Sequence, residues 1–395
     1  MADPGSPMAV LYVHSSAQMY GADLALLQLV AGLDRRRFFP IVAVPEDGPL
    51  VTALRSLDVE THLAPLSVIH RTVNPVYWSQ CLLHLPRTVD RLAKMADKKQ
   101  VRLVHSNTSH VLDGAFVARR VGAKHIWHVR ELHSGRSMAG RVLGRLIERY
   151  ADQVFVVSSA VRETFFPAGL AKVPIVTVYD GVDVERFHPA NDGRAVRAEV
   201  GVDARAPIVA MVGRIAHWKG HGLFMEAAAR IVRERPDVRF WIVGDTVTAG
   251  DRKVKAKLIS RQWELGLGRA LTFTGLRNDI PNVMAAMDVF VLPSQAPEPW
   301  GLVILEAMAT GKPVIATRQG GPLEIIRDGE TGCLVSPEDP EELADRIAYL
   351  LDHGDVAAAM GRAARAACVH DFAVARSTAE IMRWYEFTCK LTSDR

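Results

Sequence analysis

A chain of 395 residues with 49% hydrophobic and 23% charged side chains is long enough for two domains, each burying a core of its own. No apolar run reaches the length of a membrane-spanning helix, and the opening residues MADPGSPM lack the basic and apolar stretches of a secretion signal, so the expected location is cytoplasmic. The formal charge of +4 is unevenly spread: residues 71–149 hold 15 Lys+Arg against 5 Asp+Glu, while residues 186–395 balance at 27 against 27.

Residues 10–14 read as a strand, followed by a turn at Tyr20-Gly21-Ala22-Asp23 and a helix over 24–33. Further strands are expected at 41–44, 59–63, 101–105, 125–129 and 154–157, separated by helical stretches. Such alternation implies a doubly wound parallel sheet. Its ligand belongs at the carboxyl ends of the strands, where Gly21, Asn107, Thr108 and His128 fall. A polar stretch around 175–194 marks a domain junction. A second alternating series follows, with strands at 208–212, 240–243, 271–273, 289–292 and 313–317. The expected domains are 1–185 and 186–375, with a C-terminal helix in 376–395 packing back on the first. Two such domains facing each other would leave a cleft between them.

Two stretches of the second half carry chemistry. After the strand at 208–212 stands Gly213-Arg214-Ile215-Ala216-His217-Trp218-Lys219-Gly220. Arg214 offers a fork and Lys219 a point charge, a pair suited to a diphosphate, although the spacing is neither the P-loop nor the dinucleotide fingerprint and the same residues also make an ordinary solvated loop. Residues 288–326 combine the strand at 289–292, a loop with Pro297, Glu298 and Pro299, and then Gly301. The helix at 302–308 is expected to carry a proline in its first turn and to aim free N–H groups at a phosphate. Glu298 and Glu306 lie eight positions apart, one in the loop and one in the helix, as an acid/base pair would. Gly320-Gly321 lets a ligand approach the backbone.

Tyr20-Gly21-Ala22-Asp23, Asp180-Gly181-Val182-Asp183, Gly213-Arg214 with Lys219-Gly220, Val243-Gly244-Asp245, Phe273-Thr274-Gly275 and the run from Pro293-Ser294 to Glu324 follow one another along nearly the whole chain. In that order and spacing they resemble the retaining nucleotide-sugar glycosyltransferases of family 4. The resemblance implies an α/β protein of the GT-B fold, two Rossmann-like doubly wound domains facing a central cleft, the first binding the acceptor and the second the nucleotide sugar. It assigns the donor diphosphate to Arg214, Lys219 and the backbone of Gly301 and Leu302, the ribose to Glu306, the donor sugar to Glu298, and the base pocket to Arg277-Asn278-Asp279. It matches His128 to an active-site histidine and Gly21 to a glycine beside the donor phosphate. Asp23 stands where many relatives carry Glu, and Asp180 where many carry Asn. Asn107 and Thr108 are either acceptor contacts or strand-end caps, and His105, His125 and His133 are expected to be structural or exposed.

Cleavage at the sugar carbon places negative charge on the departing diphosphate. No two Asp residues stand two positions apart, so Arg214 and Lys219 are expected to take the part of a metal, with no cofactor beyond the donor. Retention is expected through a front-face path; a covalent intermediate on Glu298 is the alternative. The resemblance thus implies a metal-independent hexosyltransferase acting from a UDP- or GDP-sugar on a glycan or lipid-linked acceptor of the bacterial surface. A sugar-nucleotide epimerase, a phosphorylase and an inactive nucleotide-sugar-binding scaffold stay open. The basic residues Arg87, Arg91, Lys94 and Lys98, then Arg141, Arg145 and Arg149, recur at helical spacings, either as solvated faces or as a grip on an anionic membrane at the inner face of the cytoplasmic membrane. They lack an aromatic stacking platform, so no nucleic-acid partner is expected. Cys81, Cys333, Cys368 and Cys389 are scattered and read as packing residues.

Overall fold

Short runs of Val, Ile, Phe and Ala alternate with helices and assemble two separate all-parallel sheets. The computed structural model describes residues 6–69, 75–132, 138–166 and 172–390. It divides into one unit of Met1–Gly181 with Val374–Arg395 and another of Val182–Ala373.

The first unit runs β1 (Met8–Val13), α1 (Gly21–Ala31), β2 (Phe38–Val44), α2 (Pro49–Ser56), β3 (Glu60–Leu63), α3 (Pro75–Lys98), β4 (Leu103–Ser106), α4 (Asp113–Val121), β5 (Lys124–Val129), α5 (Met138–Tyr150), β6 (Gln153–Val156), α6 (Ser159–Phe165) and β7 (Ile175–Thr177). The second runs α7 (Arg194–Glu199), β8 (Ile208–Val212), α8 (His221–Glu234), β9 (Arg239–Val243), α9 (Ala249–Glu264), β10 (Leu271–Gly275), α10 (Ile280–Ala286), β11 (Val289–Leu292), α11 (Leu302–Ala309), β12 (Val314–Thr317), α12 (Pro322–Ile325), β13 (Cys333–Val335), α13 (Pro340–Asp352) and α14 (Gly354–Asp371). The last helix, α15 (Val374–Lys390), returns to the first unit.

Along β1 the side chains alternate between two cores. Val10 and Tyr12 pack with Leu26, Phe38 and Tyr385, whereas Ala9, Leu11 and Val13 pack with Ile41, Leu92 and Val104. Both faces of the first sheet are therefore covered by helices, as its near-continuous apolar strands require. In the second unit Val209, Met211, Phe224, Phe240 and Ile347 share one cluster.

The strand orders are β3-β2-β1-β4-β5-β6-β7 and β10-β9-β8-β11-β12-β13. Chain direction across each sheet reverses once, between β1 and β4 and between β8 and β11. Beyond the carboxyl ends of such neighbouring strands the connections diverge and leave a crevice, the usual ligand position of an open α/β sheet.

Three local expectations need correction. Helix α11 starts after Gly301, whose φ of 109° serves the cap, so Pro299 lies outside the helix rather than in its first turn. Helix α1 starts at Gly21 rather than Leu24, because the Asp23 carboxylate accepts the Tyr20 N–H at 3.0 Å and closes the first turn. Strands β7 and β13, three residues each, were too short for periodicity to reveal.

Candidate functional site

The crevice between β8 and β11 is held by close backbone contacts. Gly220 has φ +75°, and a Cβ there would stand 1.7 Å from Pro293 O; Gln295 N also donates to Trp218 O at 2.8 Å. On the other side a Cβ on Gly320 would stand 2.3 Å from Glu298 O, and Gly321 N donates to that same oxygen at 2.8 Å. Thr317 Oγ1 and Gln319 Nε2 donate to Ser294 O at 2.8 and 2.7 Å. The segments after β8, β11 and β12 are thereby fastened into one floor.

On that floor Lys219 Nζ donates to Glu298 Oε1 at 2.7 Å, and Ser294 Oγ donates to the same carboxylate oxygen. Glu298 is buried, Lys219 half-buried, and the ammonium stands 4.3 Å from the Trp218 ring centroid. Buried carboxylates need such donors, which offset their lost hydration. Arg214 is half-buried and makes no ion pair among the described residues; against the upward push of burial, hydrogen bonds from Thr248 and then the charge of Arg214 hold the Asp251 carboxyl below its ordinary range. Gly301 and Leu302 are half-buried at the start of α11.

Glu306 lies inside α11 and is buried, yet no hydrogen-bond donor among the described residues reaches its carboxyl group. Burial pushes its pKa up to about 7, against the opposing pull of Arg186. A buried carboxyl without a donor stands out, because nearly all such groups are paired. Arg277 is occupied: its guanidinium spans Glu199 at 2.9 Å and Asp279 at 2.7 Å, and those two carboxylates raise its pKa.

In the first unit Gly21 is exposed, and a Cβ there would meet nothing within 4 Å, so the fold itself does not demand glycine. Asn107 and Thr108 are buried and engaged. Asn107 Nδ2 donates to His14 Nδ1 at 3.1 Å and to Ala22 O at 3.2 Å, while Thr108 Oγ1 donates to Ser15 Oγ at 3.2 Å. Both side chains fasten the strand ends through these bonds. His128 lies within β5. It is fully buried, its ring 5.4 Å from that of His105 and 5.6 Å from Phe155, and its Nδ1 accepts from Arg130 at 3.1 Å. Burial, then the charge of Arg130, depresses its pKa well below the usual histidine value. Its ring packs in the core of the first unit.

His105 and His125 are buried structural residues, the first 2.5 Å from Tyr385 Oη and the second 2.9 Å from both Ser106 Oγ and Tyr150 O. His133 lies outside the described residues. Cys333, Cys368 and Cys389 are buried and Cys81 half-buried, all of them free thiols. Sequence reasoning missed the buried pair of His14 Nε2 and Asp23 at 2.9 Å, the Arg130–Asp180 ion pair, and Glu131, which accepts from Ser109 N and Oγ at 2.9 and 2.7 Å. Their signal was faint: the partners come from different strand ends and meet only through the sheet order.

Known proteins resemble this chain in sequence and fold. A family profile described as glycosyl transferases group 1 matches residues 193–367, and one described as glycosyltransferase family 4 matches residues 20–186. The alpha-maltose-1-phosphate synthase of Mycolicibacterium smegmatis is 32% identical over 71% of this chain and 78% of its own. The lipopolysaccharide core biosynthesis mannosyltransferase LpsB of Rhizobium meliloti is 32% identical over 55% of this chain and 62% of its own. The matches with the first curated relatives span less than two thirds of those proteins' length. Among solved structures, Anabaena HepE in complex with UDP and glucose superposes with a TM-score of 0.83 at 27% identity, over 96% of this chain and 99% of that one.

Proposed function

The chain belongs to glycosyltransferase family 4, and on that premise we propose that it moves a hexose from a UDP- or GDP-sugar to a hydroxyl of a glycan or lipid-linked acceptor, with retention and without a metal. The observation that carries this reading is the Lys219–Glu298 pair at the carboxyl ends of β8 and β11, beside the start of α11 and Arg214, which has no ion pair among the described residues. In this reading the donor takes one orientation. Its diphosphate meets Arg214, Lys219 and the amides at Gly301 and Leu302, its ribose hydroxyls donate to the bare Glu306 carboxylate, and its sugar meets Glu298. The HepE complex, with UDP and glucose bound to a similar chain, supports a nucleotide-sugar donor.

In the reaction the bond from the anomeric carbon to the diphosphate oxygen breaks and its electron pair leaves with the diphosphate. The acceptor oxygen bonds that carbon from the same face, and its proton goes to the departing phosphate oxygen. Arg214 and Lys219 stabilise the charge that grows on the leaving group, the part a divalent ion plays elsewhere. Glu298 positions the sugar and is not the nucleophile.

Thermal-shift titration with UDP-glucose, UDP-GlcNAc and GDP-mannose, followed by assays of UDP or GDP release, tests the reading. One donor is expected to raise the melting temperature and to be slowly hydrolysed, with release continuing in chelator and accelerating with acceptor. No response to any sugar nucleotide would overturn the assignment. A strict metal requirement would overturn its metal-free form, and an inverted anomer in the product would overturn retention.

A further inference from the structure

Helix α9 leaves most of its surface in water. Thr248 caps it by accepting from Asp251 N at 3.1 Å, and only Asp251 and Leu258 are buried along its sixteen residues. At about 100° per residue, Ala249, Arg252, Lys253, Ala256, Lys257, Ile259, Ser260, Trp263 and Glu264 share one arc of roughly 160°. All nine are exposed, and the one anion among them, Glu264, is paired with Arg261 at 3.2 Å. Ile259 and Trp263, one turn apart, are 43% and 70% exposed and form an apolar line that no packing explains. Lys253 and Lys257 follow one another along one border, and Arg252 stands at the amino end.

The helix's other cations are spent on neighbours. Lys255 pairs with Asp245 at 2.8 Å, and Arg261 with Glu264 at 3.2 Å and Glu226 at 3.3 Å. Arg252, Lys253 and Lys257 make no ion pair among the described residues. We propose that this face of α9 docks the second unit onto an anionic lipid surface.

Charge complementarity selects that partner. An indole is apolar with one N–H donor, suited to the level of lipid headgroups, and the flanking unpaired cations meet headgroup phosphates as Trp263 and Ile259 enter the acyl boundary. A protein partner would need a broader apolar centre than two side chains, and nucleic acid would need a series of stacking platforms. Two inserting side chains and three cations make a weak, reversible, salt-sensitive attachment. The competing surface is α5, with Arg141, Arg145 and exposed Val142. Its aromatic, Tyr150, is half-buried with Arg119 and Arg149 at 5.8 and 5.9 Å from its ring.

The test is sedimentation of the full-length protein with vesicles of phosphatidylcholine and phosphatidylglycerol against vesicles of phosphatidylcholine alone, at low and high salt. The protein is expected to bind the mixed vesicles at low salt and to release as salt rises. Lys253→Glu with Lys257→Glu is expected to lower the partition coefficient about tenfold or more, and Trp263→Ala several-fold. Arg141→Glu with Arg145→Glu is expected to leave most binding intact. These side chains are exposed, so unchanged thermal melts serve as the folding control. Absence of binding at low salt, indifference to the α9 changes, or loss through the α5 changes alone would each overturn the proposal.

Discussion

Lys219 has two claims on its charge, the Glu298 carboxylate at 2.7 Å and, in the proposed reaction, the donor diphosphate. Replacing Glu298 by Gln removes the competing anion and keeps the shape. Nucleoside diphosphate is therefore expected to bind as well or a few-fold more tightly while kcat falls. Lys219→Ala removes a charged donor and is expected to weaken the same binding by roughly ten- to a hundredfold. Calorimetry with UDP and GDP separates the two, and equal weakening by both changes would sink the division of roles. Glu306 adds a pH dependence. Its folded pKa of about 7 lies above the ordinary 4.5, so between those values the folded state holds a proton that the unfolded state has lost. Stability is thus expected to fall as pH rises from 4.5 to 7, with a ceiling of about 3 kcal/mol, and then to level off. Asp113, raised by burial to about 6, contributes in the same direction over a lower range and remains in a Glu306→Gln variant. A ribose that donates to the charged carboxylate reverses the trend for binding: affinity for a sugar nucleotide is expected to rise with pH through about 7 in the wild type and to stay flat in Glu306→Gln. A wild-type binding profile as flat as the variant's would remove Glu306 from the ribose.

At the scale of elements, the floor depends on turns that approach backbone too closely for a side chain. Gly320→Ala combines a φ of +71° with a Cβ 2.3 Å from Glu298 O. The conformational part alone costs about 1–3 kcal/mol, and relief of the clash moves the strand of chain that carries Glu298. Lower melting temperature together with lost turnover is expected; a stable, fully active variant would show that the turn relaxes without disturbing Glu298. These turns explain what was legible beforehand. Strands β8 and β11 were read at their true bounds because each is a fully buried apolar run stopped by Gly213 or Pro293. Lys219 and Glu298 stood out because they follow those two strands, and the sheet order then makes their separation of 79 positions irrelevant. His128 lies within β5, its side chain on the face covered by α1 and α15, and strand parity alone does not say which face is covered. The partners of Asn107 and Thr108 were hidden in another way, since His14 and Ser15 follow a different strand and meet them only through the sheet order.

On the scale of the whole molecule, the first unit is completed by the last helix. Tyr385 on α15 is fully buried, its hydroxyl donates to Tyr12 Oη at 3.2 Å and lies 2.5 Å from His105 Nδ1, and its ring meets the edge of Phe38 at 5.8 Å. Ile381 and Cys389 join the same core, so residues at opposite ends of the chain fold as one body. Truncating Tyr385 to Ala opens a ring-sized cavity and strands two buried polar groups, a loss of about 3–5 kcal/mol. Tyr385→Phe keeps the ring and is expected to cost about 1–3 kcal/mol, for the unpaired hydroxyl and imidazole alone. The second unit, Val182–Ala373, contains none of these contacts. Scanning calorimetry of Tyr385→Ala is therefore expected to move one transition downward and leave another near its wild-type temperature, with nucleotide binding in the second unit surviving above the first melt. If the entire heat-capacity peak shifted as one, the two units would be unfolding as a single cooperative body, and the stabilisation supplied by α15 would reach beyond the core that holds its tyrosine.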